Sequence, residues 1–268
     1  MNQLRKYFVF AVLVLSACIL YVLKSKTNEP APTTRTVTLP KIEIEEEVRG
    51  NIVIIIDDFG YRDDNVSEGF LLLDANLTFA VIPGHHNSKV FAAKAEQRGF
   101  EVIVHMPMES TKKTPGEKEY MLSTSMTSSE IENRVEQVIA EFPEAVGMNN
   151  HQGSKATADK RIMNIVSNIL KRHGKYFIDS RTTAETVAET TMRSRGIPTM
   201  RRHVFLDNEN KKIKIREQLY KLVDKAESKG LGVGIGHAKL NTFEVLKEEI
   251  PKLKEYGFKF RFASFSVK

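Results

Sequence analysis

The residues able to do chemistry stand at the ends of short apolar runs. Ile52-Val53-Ile54-Ile55-Ile56 leads into Asp57-Asp58, Val102-Ile103-Val104 into His105, and Val146-Gly147-Met148 into Asn149-Asn150-His151. Further on, Phe177-Ile178 leads into Asp179-Ser180-Arg181, Val204-Phe205-Leu206 into Asp207-Asn208, and Val233-Gly234-Ile235-Gly236 into His237. Two adjacent carboxylates after a buried run repel each other, and holding both ionised requires a cation or several hydrogen bonds. A divalent metal supplies that cation. Carboxylate plus imidazole suits zinc, with iron, cobalt, nickel and manganese also compatible, and water on such an ion is acidic enough to act as a nucleophile near neutral pH. The sole cysteine, Cys18, lies in an N-terminal apolar run. Thiolate chemistry and disulfides are therefore excluded from the rest of the chain.

Each of these residues has a competing structural role. An Asp or Asn after a strand also caps the next helix or forms a turn, which is the alternative for Asp207 and Asn208. His105, His151 and His237 have the alternative of hydrogen-bonded core histidines. Arg181 has that of a structural partner for an aspartate, and Glu109 that of an exposed loop residue. His85, His86, His173 and His203 read as surface positions.

The elements that must position these groups follow from periodicity. Strand candidates are Ile52–Ile56, Leu77–Ile82, Glu101–His105, Ala145–Met148, Tyr176–Ile178, His203–Leu206, Leu231–Ile235 and Phe260–Phe265, all too short for helices and rich in Ile, Val and Phe. Thr127–Phe142 places Ile131, Val135, Val138 and Ile139 on one helical face, and Thr127 with Glu130 spells a capping box. Thr157–Arg172 and Ile215–Lys229 repeat the helical pattern and end before Gly174 and at Gly230. Asn241–Tyr256 does so with Pro251 inside, which predicts a kink or two short helices. Strands alternating with helices make an α/β fold with a parallel sheet. A (β/α) barrel of about eight strands leads, and a doubly wound open sheet is the alternative. Both place the chemistry at the C-terminal ends of the strands.

Six segments in order resemble the divergent polysaccharide deacetylase family: Ile-Asp-Asp-Phe-Gly at 56–60, His-Met-Pro-Met-Glu at 105–109, Asn-Asn-His-Gln-Gly-Ser at 149–154, Phe-Ile-Asp-Ser-Arg-Thr-Thr at 177–183, Val-Phe-Leu-Asp-Asn at 204–208 and Ile-Gly-His at 235–237. The resemblance runs from about Gly50 to the C-terminus. It implies a deformed (β/α) barrel of seven or eight parallel strands that removes acetyl groups from N-acetylated sugars with a divalent metal, zinc above all. By the same resemblance Asp57 is the general base, Asp58 and His105 are metal ligands, His237 is the general acid, and Arg181 holds the base in place. The chain departs from the family's wider relatives four residues after His105, where Glu109 replaces a second histidine. That leaves His151 first and Glu109 second as the completing ligand. Asn150, Asp179 and Asp207 are candidates for substrate contact or for supporting the ligands. The altered ligand segment also leaves a different class of function open, a glycan-binding or scaffold domain of the cell envelope without turnover.

The N-terminus carries an address. Arg5 and Lys6 precede the uncharged run Tyr7–Leu23, which at about 17 residues reaches the lower limit of a bilayer span. Residues 1–23 are expected to be a signal anchor placing the following chain on the periplasmic side of the inner membrane. Leu15-Ser16-Ala17-Cys18 also resembles a lipoprotein cleavage box, and a cleaved signal peptide is the third possibility; all deliver the same compartment. Residues 24–49, rich in Thr, Pro and charges, read as a flexible linker, and 50–268 as the catalytic domain. The net charge of +6 and the pI near 9.2 raise the question of nucleic acid. Basic and acidic residues alternate instead of forming a basic block, which argues against it. The expected partners are a glycan, peptidoglycan or another N-acetylated polysaccharide, and the membrane through residues 1–23.

Overall fold

The computed structural model describes residues 3–26, 48–112 and 116–267, so most of the expected linker lies outside the described residues. Two compact units result, Met1–Glu45 and Glu46–Lys268. In the first, helix α1 (Gln3–Lys26) exposes Phe8, Phe10, Leu13, Leu20 and Tyr21. Among the described residues no helix is long and apolar enough to cross a membrane.

The second unit alternates strands and helices: β1 (Gly50–Phe59), α2 (Asn65–Phe70), β2 (Thr78–Val81), α3 (Ser88–Gln97), β3 (Glu101–Met108), α4 (Ser128–Glu141), β4 (Gly147–Gln152), α5 (Lys160–Arg172), β5 (Tyr176–Asp179), α6 (Ala188–Ser194), β6 (Thr199–Arg201), β7 (Val204–Phe205), α7 (Lys212–Lys229), β8 (Leu231–His237), α8 (Leu240–Glu255) and β9 (Phe258–Arg261). Every strand pairing is parallel, in the order β6-β5-β4-β3-β2-β1-β8-β7, with β9 also on β1. Neighbours in space are thus neighbours in sequence, wrapping from β1 to β8. That is the order of a deformed barrel, not of a doubly wound sheet with its central reversal. Closure stops at one seam. β6 and β7 end the path without pairing, and two residues cross between them: Arg202 N donates to Asp179 O on the β5 side (3.0 Å), His203 N to Val233 O on the β8 side (2.8 Å). The expected strand over 203–206 is therefore split into two short pieces either side of that crossing.

Local chemistry sets the helix ends. Thr127 and Glu130 form the capping box of α4. Asp159 Oδ1 accepts from the N–H groups of Arg161 and Ile162, so α5 starts later than the apolar pattern suggested, after a short 3-10 turn at Ala156–Ala158. α8 runs through Pro251 as one helix instead of two, because Val245, Leu246, Ile250 and Leu253 on both sides of the proline are buried. Their burial offsets the lost N–H and the crowding of the ring.

Strand alternation divides the core into two layers. Val53, Ile55, Ala80, Ile103, Ile178, Val233 and Ile235 fill the barrel interior. Ile52, Ile54, Ile56, Val102, Val104 and Met148 face the surrounding helices. On β8 the helix-facing side is glycine, because α7 lies against the strand. A Cβ on Gly232 would come within 2.6 Å of Leu222 O, a backbone atom that cannot swing away. Gly232→Ala should therefore cost about 1–3 kcal/mol of unfolding free energy in urea titration; wild-type stability would mean that α7 retreats from the sheet without loss.

Candidate metal centre

The inward positions of β1 run Val53, Ile55, Asp57, so simple alternation would send Asp58 outward among the helices. It does not go there. Asp58 has φ +70°, and the register with β2 shifts between Ile56 and Phe59. This bulge sets both carboxylates at the barrel mouth, at a backbone cost of about 1 kcal/mol for a residue type that tolerates the left-handed region. Among the described residues the other two non-glycine residues with positive φ are Gln152 and Arg181, next to the ends of β4 and β5. Left-handed backbone thus gathers at the same rim.

On β3 and β4, His105, Asn149 and His151 share the inward parity, with His105 paired to Asn149 and Pro107 to His151. His105 Nε2 and His151 Nδ1 each lie 3.4 Å from Asp58 Oδ1 and 3.0 Å from one another. The three ligand atoms fall within 4.8 Å of each other. Neither imidazole is aligned to hydrogen-bond Asp58 Oδ1, which is buried without a partner. An orphaned carboxylate oxygen converging with two imidazole nitrogens is a donor set for a divalent cation, and these residues fit one.

The neighbours prepare that set. Asn149 Nδ2 donates to Asp57 Oδ1 (2.8 Å), which leaves its carbonyl Oδ1 facing His105 Nδ1 at 2.7 Å. A carbonyl only accepts, so Nδ1 carries a proton and the lone pair of His105 is directed through Nε2 toward Asp58. Burial alone would lower the His105 pKa, but the charges of Asp57 and Asp58 outweigh it and push the ring up to about 9. For Asp58 burial would raise the pKa, and the adjacent His105 and His151 reverse this and hold it below the usual carboxylate range. For Asp57, buried with its oxygens beside Asn149 and His105, desolvation wins and the pKa is raised.

β8 pairs His237 with Asp57 across the ladder. Asp207, 1% exposed, accepts from His237 Nδ1 (2.7 Å), from His237 N (2.9 Å) and from Thr242 Oγ1 (2.8 Å). The opposite ring nitrogen, Nε2, stands 3.9 Å from Asp58 Oδ2. Burial lowers the His237 pKa and Asp207 outweighs it, so the ring is held toward its protonated form.

Other candidates serve elsewhere. Glu109 is outside the cluster: its carboxylate accepts from Thr124 N and Thr124 Oγ1 (each 2.7 Å), Ser123 Oγ (3.0 Å) and Lys155 Nζ (2.7 Å). Burial favours its neutral form, but these donors outweigh it and hold the carboxyl at about 2. Asn150, of the opposite parity to Asn149, ties strand ends together by donating to Gln152 O and accepting from Ser180 N. Asp179 caps its own turn through Arg181 N and Thr186 Oγ1. Arg181 makes no ion pair with Asp57 within 4.0 Å; among the described residues Asn149 is the side chain that holds this carboxylate. Two residues went unread in the sequence. Asn149 was legible from its parity with His151. Glu117, in a loop without periodicity, accepts from Tyr61 Oη and from His85 Nε2 (2.9 Å), and its Oε2 is 3.8 Å from His151 Nε2. His85, read as a surface position, is thereby drawn to the edge of the centre.

Two outcomes follow. Asn149→Ala should weaken zinc binding about 10- to 100-fold in a chelator competition, since it removes the group that fixes the His105 tautomer; unchanged affinity would deny it that role. Glu109→Gln should retain full zinc affinity. Because the folded state depresses the Glu109 pKa from 4.5 to about 2, its stabilisation is complete above pH 4.5 and lost as the pH falls toward 2. Glu109→Gln should flatten that part of the stability profile, and a wild-type slope in urea unfolding would remove the assignment.

The family model for divergent polysaccharide deacetylases matches residues 54–266. An uncharacterized Escherichia coli K12 protein, YibQ, is 36% identical over 204 residues, 76% of this chain but only 63% of its own length. This chain therefore spans less than two thirds of that relative. The fold is similar to the crystal structure of an uncharacterized protein from Agrobacterium tumefaciens C58, with TM-score 0.76 and 18% identity over 81% of this chain and 89% of that one. It is also similar to the catalytic domain of a peptidoglycan N-acetylglucosamine deacetylase from Eubacterium rectale, with TM-score 0.50 and 16% identity over 80% and 90% of the two chains. With its six segments, its barrel and a family match across nearly the whole second unit, the chain belongs to the divergent polysaccharide deacetylase family.

Proposed function

We propose that this protein is a zinc-dependent deacetylase that removes acetyl groups from an N-acetylated glycan of the cell envelope. The observation that carries the reading is the convergence of Asp58, His105 and His151 within 4.8 Å around a buried carboxylate oxygen with no other partner. Zinc is favoured by the donor set of one carboxylate and two imidazoles with positions left for water and substrate. When bound, such an ion acidifies a water and polarises the acetamide carbonyl.

The remaining work falls to residues of the chain. Asp57 takes the proton of the attacking water; its pKa, raised by burial, moves toward the range where a carboxylate is an effective base. Asn149 holds one oxygen of Asp57, leaving Oδ2 toward the centre. As water oxygen adds to the carbonyl carbon and the C–N bond breaks, His237 delivers a proton from Nε2 to the leaving amine. Asp207 keeps the proton of Nδ1 in place and stabilises the imidazolium before transfer. Products are acetate and the free amine of the sugar.

Export to the envelope is part of the same proposal. Arg5 and Lys6 followed by an uncharged run support it, as do the exposed apolar side chains of α1, which need lipid or protein to cover them. Peptidoglycan is the first glycan to test, since the Eubacterium rectale domain of the same fold is described as acting on its N-acetylglucosamine. Asp58→Ala should lose both bound zinc and acetate release from peptidoglycan fragments. His237→Ala should keep zinc and lose about 100- to 10,000-fold in kcat. Wild-type turnover by Asp58→Ala would eliminate the proposal, and glycan binding by wild-type protein without acetate release would replace it with a binding role.

A further inference from the structure

Beside the metal centre, across Glu117, opens a second concavity that the chemistry above does not use. It has a volume of about 620 Å³ and is lined by Tyr61, Gly84, His85, Glu117, Lys118 and Tyr120, among others. That size is within the range of small-molecule sites. Its walls combine flat rings with hydrogen-bonding groups. Tyr61, 43% exposed, stands beside the imidazole of His85 with ring centroids 4.1 Å apart, forming a joined aromatic surface. The Tyr120 ring lies over Gly84, where a Cβ would be 2.5 Å from the ring and the backbone has φ +88°, so only glycine admits both the turn and the close ring.

The polar members are placed at the junction with the centre. Glu117 Oε1 accepts from Tyr61 Oη and from His85 Nε2, and Glu117 Oε2 approaches His151 Nε2 at 3.8 Å. A small companion cavity of about 40 Å³, lined by Glu117, Lys118, His151 and Gln152, lies on the other side of the same carboxylate. Glu117 is therefore a shared wall between the ligand His151 and the aromatic concavity. Acidic and basic groups are mixed here, with Lys118 between Glu117 and Glu119. Such a lining offers no net charge for an anion and too many polar groups for a purely apolar ligand. A pyranose ring matches it: its C–H face packs on an aromatic plane and its hydroxyls meet carboxylate, ammonium and imidazole at the edge.

We propose that this concavity is a saccharide subsite, holding a sugar unit of the glycan next to the one whose acetamide enters the metal centre, with Tyr61 as its stacking surface. The proposal rests on the deacetylase reading for its direction along the glycan, but its test is separate. The probe is the β-1,4-linked pentamer of N-acetylglucosamine, titrated calorimetrically into the full chain, with acetate release measured on the same preparations. Tyr61→Ala should weaken pentamer binding about tenfold. Tyr61→Phe, which keeps the ring and loses only the hydroxyl bond to Glu117, should stay within about threefold of wild type. Equal thermal midpoints for the three proteins show that the comparison concerns binding. Pentamer affinity unchanged in Tyr61→Ala, or no pentamer binding by the wild type, overturns the subsite. Acetate release alongside an unchanged Tyr61→Ala affinity leaves the deacetylase reading standing without it. Binding that depends on the Tyr61 ring but yields no acetate keeps the subsite and overturns the deacetylase reading.

Discussion

Two carboxylates side by side at a buried barrel mouth repel each other in a medium that screens poorly, and the surrounding structure is arranged around that repulsion. Asp57 and Asp58 cannot both stay ionised there unless positive charge is close. Without a metal, protons on the imidazoles supply it: His105 is pushed up to about 9 while Asp58 is held low. The lone pair of His105 that takes this proton is the one a metal would use, since Nδ1 is committed to Asn149. Proton and cation therefore compete for one place, and the basicity that protonates the apo centre also makes it a strong ligand set.

Support around the cluster has a common form. Each working side chain is oriented by a group that is itself tied down: His105 by Asn149, which is anchored on Asp57, and His237 by Asp207, which also accepts from Thr242 and from backbone. Glu117 stands beside the far nitrogen of His151 and is bound by Tyr61 and His85. These arrangements restrict tautomer and ring angle, which determines whether ligand atoms meet at one point. The barrel contributes by parity, since Asp57, His105, Asn149, His151 and His237 all occupy inward positions of adjacent or nearby strands. The mouth of a parallel barrel receives such positions from many strands at once, so residues far apart in sequence share a few ångströms.

Much of this was readable in the amino-acid order. Apolar runs ending in Asp, His or Asn marked the strands and their functional ends, and helical periodicity with caps marked α4, α5 and α7. These signals are local, repeating every two or 3.6 residues, so they survive without knowledge of neighbours. The short helices α2 and α6 offer too few turns for a period to emerge. α3 has a weakly apolar face built largely of alanine. The phenylalanine-rich end 260–265 looked like one strand, but β9 stops at Arg261 and a 3-10 turn follows.

The sequence by itself determined the family, the alternation of strands and helices, and the set of oxygen and nitrogen groups brought to one rim. Only the tertiary structure decided which of them meet. It turned Asp58 back beside Asp57 through a left-handed residue, chose Asn149 over Asn150, spent Glu109 on Thr124 and Lys155, and drew Glu117 to His151 from a loop. The reason is physical. Which face a residue occupies is set by backbone geometry close to it in the chain, whereas the partner of a buried charge is set by whatever the completed fold places within about 4 Å, where the energy of an ion pair or hydrogen bond is decided.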